Sequence, residues 1–283
     1  MSVLRQPGIY FALCLVTSAL PAACLTSASP VAQSNREIGI SFAPSLIAYR
    51  EYNDNGTVHD SEHGWISGGG VKASVPFEMF GWNWLSGASY QYNDGFSKHW
   101  SLQGNGPAVD QYKAAFRSKD VALAIGRTFA PTARFLCTPG IDAEYRYWHR
   151  GLPEAKLEIL EKYTFWAPGV GISASYNPVG RFVVMTRAGV AYTVYPTNAG
   201  IGNPAHQVPD VTFSLGSRAV WQADLGADYG ISRSFHAFAG IDSSRFRFGA
   251  SGSEPAGPIY GLQHEPKSLT DLAQINVGFA WAF

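Results

Sequence analysis

Large apolar side chains recur at every second position in segment after segment of the chain. At the C-terminal end Ile275, Val277, Phe279, Trp281 and Phe283 share one parity, and Gln274, Asn276, Gly278, Ala280 and Ala282 the other. A period of two is that of a β-strand, whose successive side chains point to opposite faces. The same alternation sets Trp221, Leu225 and Tyr229 against Gln222, Asp224, Gly226 and Asp228, and Phe182, Val184, Val190, Tyr192 and Val194 against Arg187, Gly189 and Thr193. Earlier segments repeat it with Trp82, Trp84, Tyr90 and Tyr92 against Asn83, Ser89 and Gln91. Phe135, Ile141, Ala143, Tyr145 and Tyr147 likewise oppose Thr138, Asp142, Glu144 and Arg146. One face is bulky and apolar, the other small or polar. A soluble barrel is built the other way round, with bulk inside and charge outside. The bulky face therefore needs lipid.

The pattern predicts ten strands, near residues 36–50, 65–76, 82–92, 111–128, 134–148, 162–176, 181–195, 212–230, 235–248 and 269–283. Connections alternate between long (51–64, 93–110, 149–161, 196–211, 249–268) and short (77–81, 129–133, 177–180, 231–234). The expected fold is an all-β transmembrane antiparallel β-barrel of ten strands, with long extracellular loops, short periplasmic turns and both termini on the short-turn side. Eight strands would leave segments unpaired, and twelve would demand strands that the loops cannot supply. Most prolines fall in connections, but Pro44, Pro139 and Pro168 fall inside strands and call for bulges there. In the ninth strand, the parity of Phe235, Ala237, Ala239 and Ile241 would carry Arg245 and Arg247 into lipid, at about 2–4 kcal/mol each near the midplane. A bulge near Ser243 or Ser244 is expected to turn both arginines inward.

Composition agrees with a membrane barrel. Charged residues make up 15% of the chain, against roughly 25% in ordinary soluble domains. Aromatics reach 14% and there are 30 glycines. Lys+Arg and Asp+Glu balance at 21 each, which leaves no electrostatic footprint for nucleic acid. No apolar run of about 20 residues follows the N-terminal segment, so a helical membrane bundle is excluded. Residues 1–28 read as a signal peptide, with Arg5 at its start, an apolar stretch from Ile9 to Leu20, and Ala22, Ala23 and Ala28 after it. Residues 29–283 then form a single barrel domain. Cys24 stands as in a lipoprotein acylation site, with Pro21 where that motif has Leu. Beyond the signal only Cys137 remains, which rules out an intramolecular disulfide.

The segment Ile275-Asn276-Val277-Gly278-Phe279-Ala280-Trp281-Ala282-Phe283 resembles the last strand of Gram-negative outer-membrane β-barrel proteins. The resemblance implies an outer-membrane location and contact with outer-membrane lipid. It also implies recognition of Phe279, Trp281 and Phe283 by the barrel-assembly machinery; a monomer is expected by default. In strand number the chain is similar to the omptin proteases, whose activity depends on paired acidic residues and an Asp/His pair at the extracellular rim. The residues available in the second and fourth long connections are Asp94 and His99, then His206 and Asp210, without the close Asp/Asp or Asp-x-His spacing of that chemistry.

Three constellations remain. The first is a set of inward-facing ionisable groups: Lys72, Asp120, Asp142, Glu144, Arg146, Arg187, Asp224, Asp228 and Asp242, with Arg245 and Arg247 after the bulge. Near balance of charge favours internal ion pairing that fills the lumen, and the same groups could instead line a narrow path for small polar solutes or ions. The second is histidine: His59, His63, His99, His149, His206 and His264 fall in or beside long loops, and His236 at the opposite end. Solvated loop imidazoles would charge near pH 6.5 and could drive loop closure. The third is aromatic, with Trp65, Trp82, Trp84, Tyr90, Tyr92, Tyr145, Tyr147, Trp148, Trp166, Tyr176, Tyr192, Tyr195, Trp221, Tyr229 and Trp281 placed as interfacial girdles. Loop residues Trp100 and Tyr260 could stack on carbohydrate. No P-loop, dinucleotide fingerprint, zinc cluster or nucleophile elbow occurs, so neither cofactor nor catalysis is expected. The functional expectation is a structural or surface-interaction barrel with an ion-paired lumen. A narrow channel is the first alternative and a rim protease of omptin type the second.

Overall fold

A computed structural model describes residues 29–101, 110–151, 160–201, 210–255 and 261–283. The signal region with Cys24, His206, Tyr260 and the prolines at 107, 153, 204, 209 and 258 lie outside the described residues. Among the described residues ten strands form the ring: β1 (Glu37–Phe42 and Ser45–Tyr52), β2 (Val58–Met79), β3 (Trp82–Ser101), β4 (Asp110–Arg127 and Phe129–Thr132) and β5 (Phe135–Gly151). The second half comprises β6 (Leu160–Val179), β7 (Phe182–Tyr192 and Val194–Ile201), β8 (Val211–Ser214 and Ala219–Gly230), β9 (Phe235–Phe248) and β10 (Lys267–Ala282). Each pairs antiparallel with the next. The ring closes where β10 pairs β1, from Glu37 opposite Ala282 to Tyr52 opposite Lys267. Closure satisfies every ladder that lipid would otherwise strand without partners.

The short connections are tight. Phe80 and Gly81 join β2 to β3 with positive φ at both residues (55° and 73°), the geometry of a two-residue hairpin turn matched to strand twist. The opposite end departs from the expected long loops. β2 and β3 run on beyond the predicted ends and pair as far as Asp60 opposite Ser101, so much of 58–64 and 93–101 is strand rather than loop.

The in-strand prolines sit at interruptions of the sheet. Pro44 is itself the gap in β1, yet the register with β2 and β10 carries straight across it. Pro139 stands opposite Arg127 and Pro168 opposite Tyr192, each beside a strand interruption (Thr128 of β4, Thr193 of β7) where the ladder breaks, so their missing donors cost little there. Register shifts nearby fall between Phe129 and Thr132 on β4 and between Val194 and Thr197 on β7, where Tyr195 takes a positive φ of 51°.

β9 corrects the sequence reading. It pairs without a register shift against both β8 and β10, so there is no bulge at Ser243 or Ser244. Arg245 and Arg247 keep the parity of Ile241 and face outward, exposed. They escape the expected cost because they lie above the lipid. Arg245 stands beside outward Trp221 in register and donates to Asp271 on β10, with Nε and Nη2 at 2.5 and 3.1 Å. Arg117 likewise donates to Asp94 at 3.1 and 2.9 Å on the outer wall of β4 and β3. These exposed pairs stand near the upper edge of the apolar belt, with Trp65 and Phe96 exposed one position above Asp94. Below them the outer wall carries Ile40, Leu123, Ile141, Val170, Leu225, Ile241 and Val277, all exposed. Trp82, Tyr176, Tyr229 and Trp281 rim its lower edge and Trp166, Tyr192 and Trp221 its upper edge, as interfacial aromatics do.

Within this belt Leu225 lies midway between Trp221 and Tyr229. Leu225→Arg is therefore expected to destabilise the folded barrel in lipid vesicles by about 2–4 kcal/mol in denaturant titration. Arg245→Ala is expected to leave the midpoint unchanged.

Candidate functional site

The interior changes character along the barrel axis. In the lower half, inward positions are small or polar. Gly278 is the tightest of them, because a Cβ there would run into the Ile40 carbonyl and the Phe238 ring. These residues surround a cavity of about 320 Å³ lined by Lys72, Ser89, Gln91, Arg187, Asp224, Asp242 and neighbours. Arg187 donates to Asp142 at 2.6 Å, and Asn276 donates to Asp242. A five-residue helix, Pro30–Ser34, caps the periplasmic mouth. Its N-cap Ser29 accepts from the Ala32 N–H, Val31 packs on Leu136 and Val183, and Asn35 reaches Ser175 on β6.

Above the cavity, consecutive inward positions of β5 carry Glu144, Arg146, Trp148 and Arg150. Arg146 donates to Glu144 (3.0 and 2.5 Å) and lies 3.2 Å from Asp120, while Gln222 donates to the other Glu144 oxygen at 3.0 Å. Trp148 is 2% exposed, so it is a core residue and not part of the lipid girdle. It stacks on Tyr163 at 4.9 Å and meets Tyr49 edge-on at 5.1 Å. Phe165, Phe246 and Phe248 complete the layer with centroid separations of 5.3–5.7 Å. The Arg146 guanidinium lies against the Phe246 ring and that of Arg150 against Tyr49, so one arginine bounds the aromatic layer on either side.

The upper layer holds a dense polar cluster. Arg150 donates to Glu62 at 2.6 Å, Glu51 at 3.1 Å and Glu161 at 3.0 Å, and its Nη2 lies 3.0 Å from His99 Nδ1. Ser97 donates to Glu62 and Tyr49 to Glu51, while Tyr163 donates to Glu265 at 2.6 Å. Four carboxyls around one guanidinium cannot all stay charged in a dry site. Burial pushes the Glu161 carboxyl up to about 7, with Glu51 and Glu62 adding to the rise against the pull of Arg150. Burial, then Glu161 and Glu51, raises Glu265 well above the usual range. Burial and the neighbouring Arg150 lower His99 to about 3, so its Nδ1 is an acceptor for the guanidinium. On the outer wall the Tyr92 hydroxyl, with Arg117, holds Asp94 below the usual carboxylate range.

Of the inward ionisable set, Lys72, Asp120, Asp142, Glu144, Arg146, Arg187, Asp224, Asp228 and Asp242 occupy the interior, and Arg245 and Arg247 do not. Sequence reading missed Glu37, Glu51, Glu62, Arg150, Glu161 and Glu265. Asp94 and His99 lie on opposite faces of β3, one exposed outside and one buried inside, so they do not converge on one site. Asp210 is exposed ahead of β8. His63 faces outward and stacks on Trp100 at 4.2 Å. At the periplasmic end His236, Asp228 and Glu37 form the one His/Asp/Glu group with metal-ligand spacing among the described residues.

No family model and no curated protein matches the chain. Among solved structures it is similar to the outer membrane protease OmpT from Escherichia coli, with 11% identity over 87% of this chain and 95% of that one and a TM-score of 0.64. It also matches the outer membrane protein OprG from Pseudomonas aeruginosa (10% identity, 88% and 96% covered, TM-score 0.41). The fold is that of a Gram-negative outer-membrane β-barrel. At these identities the likeness concerns architecture alone.

The buried cluster predicts a pH dependence. A carboxyl whose folded pKa is raised stabilises the protonated state below its unfolded value near 4.5, and that contribution is lost as pH rises through about 7. His99, lowered to about 3, acts oppositely, but its contribution is already complete above pH 6.5. Between about pH 6.5 and 8, amide protection at the upper ends of β5 and β6, corrected for intrinsic exchange, should therefore fall. Glu161→Gln should flatten that fall.

Proposed function

We propose that the chain is an integral outer-membrane protein that acts as a structural or surface-interaction barrel and does not conduct. The observation that supports this reading is the aromatic layer of Trp148, Tyr163, Phe165, Phe246 and Phe248, buried across the lumen and bounded by Arg146 and Arg150. A path through it would strip both guanidinium groups of buried partners, which is costly for charges held in a dry interior. Solvent-facing chemistry is then left to the outer wall and the loops, and no catalytic step is assigned to the barrel. Outer-membrane residence follows from the exposed apolar belt and its aromatic rims, and assembly is expected to proceed through the outward Phe279 and Trp281 with Phe283. The protein is proposed to act as a monomer, with its loop ligand belonging to surface contacts.

The polar cavity beneath the layer is what favours the alternative, a narrow channel for small polar solutes. Planar-bilayer recording separates the two. Wild type should give no discrete conductance steps, and a Trp148→Ala, Phe165→Ala, Phe246→Ala triple variant should open them. Steps in wild type that change with Arg187→Ala or Asp224→Ala would establish the channel instead.

A further inference from the structure

We infer that Glu37, Asp228 and His236 form a binding site for a divalent transition-metal ion such as zinc at the periplasmic end of the barrel. The three residues come from β1, β8 and β9. β10 lies between β1 and β9, and at this level its inward residues are Ala280 and Ala282, opposite His236 and Glu37 in register. Their small side chains leave room for the carboxylate and the imidazole to meet across the intervening strand. His236 Nδ1 lies 2.7 Å from Asp228 Oδ1 and 3.9 Å from Glu37 Oε2, and one ligand atom from each residue falls within 4.8 Å of the others. Bonds of about 2.0–2.2 Å to one imidazole nitrogen and two carboxylate oxygens suit that spacing after small side-chain adjustments.

Two independent features point to a ligand. First, the side chains of His236, Asp228 and Glu37 are only 1–2% exposed, yet Glu37 Oε2 and Asp228 Oδ2 have no hydrogen-bond partner in the protein. Buried polar atoms are seldom left so. Second, the charge is unbalanced. Lys72 Nζ reaches Glu37 Oε1 at 2.7 Å and lies over the Phe238 ring, so a single ammonium is shared between two carboxylates. A protonated His236 would neutralise the group but leave both free carboxylate oxygens empty. A divalent ion more than offsets the single excess negative charge and, unlike a proton on the imidazole, engages those oxygens together. Three protein ligands of N and O type suit zinc-like ions, with a coordination position left for water. In the ion-free protein Nδ1 is hydrogen-bonded to Asp228 Oδ1, so an ion held through Nδ1 would take the place of the proton between them.

The test uses the full barrel purified in detergent, stripped with EDTA and titrated with zinc chloride by calorimetry. Wild type should take up one tight equivalent. His236→Asn and Asp228→Asn, each shown to be folded by heat-modifiable migration, should weaken it more than about ten-fold. Lys72→Gln, which removes a competing ammonium, should tighten it, and a His59→Ala, His63→Ala double variant should retain it. Absence of a tight equivalent in wild type, or its survival unchanged in His236→Asn, would overturn the site.

Discussion

The closure of β10 onto β1 governs the rest of the molecule. In hydrocarbon no water is available for a bare strand edge, so every ladder must end on another strand. The pairing runs the full length of both strands, across the interruption at Ala43 and Pro44, from Glu37 opposite Ala282 to Tyr52 opposite Lys267. A closed ring has fixed inside and outside faces. Each residue of each strand is thereby assigned to lipid, water or lumen by parity and height alone.

Height then inverts the chemistry. Below the exposed Asp94–Arg117 and Arg245–Asp271 pairs, bulk and apolarity face outward, and glycine, alanine and polar groups face inward. Above them charged groups such as Arg50, Lys98 and Arg247 join exposed Trp65 and Phe96 on the outer wall, and the inner wall carries the aromatic layer and the Arg150 cluster. One continuous strand such as β9 obeys both rules without changing register: Ile241 outward in lipid, Arg245 outward in water, Phe246 inward in the aromatic layer. The aromatic layer packs inside the barrel at the height of these exposed pairs, and the Arg150 cluster sits on top of it.

The ten strands, their order, the short turns and the face of nearly every lipid-exposed residue were legible in the alternation of apolar positions, because parity is a local property. Height was less so. Assuming lipid along the whole of β9 led to a bulge that Arg245 and Arg247 did not need, since both stand above the membrane. The same assumption placed Trp148 in a girdle, although the parity that put Glu144 and Arg146 inside extends to Trp148 and Arg150. Extending that parity would have found the upper cluster from sequence, together with Glu62 and His99 on neighbouring strands. The meeting of Glu37 with His236 and Asp228 was not legible, because it depends on closure between strands at opposite ends of the chain.

The inversion along β9 can be tested most directly by cysteine labelling. In a Cys137→Ser background, single cysteines are placed at positions 239, 241, 244, 245, 246 and 247 and exposed to a membrane-impermeant maleimide on intact cells. Labelling confined to 245 and 247, with 239 and 241 shielded by lipid and 244 and 246 by the packed interior, is the predicted result. Labelling at 244 and 246 with 245 and 247 protected would contradict it.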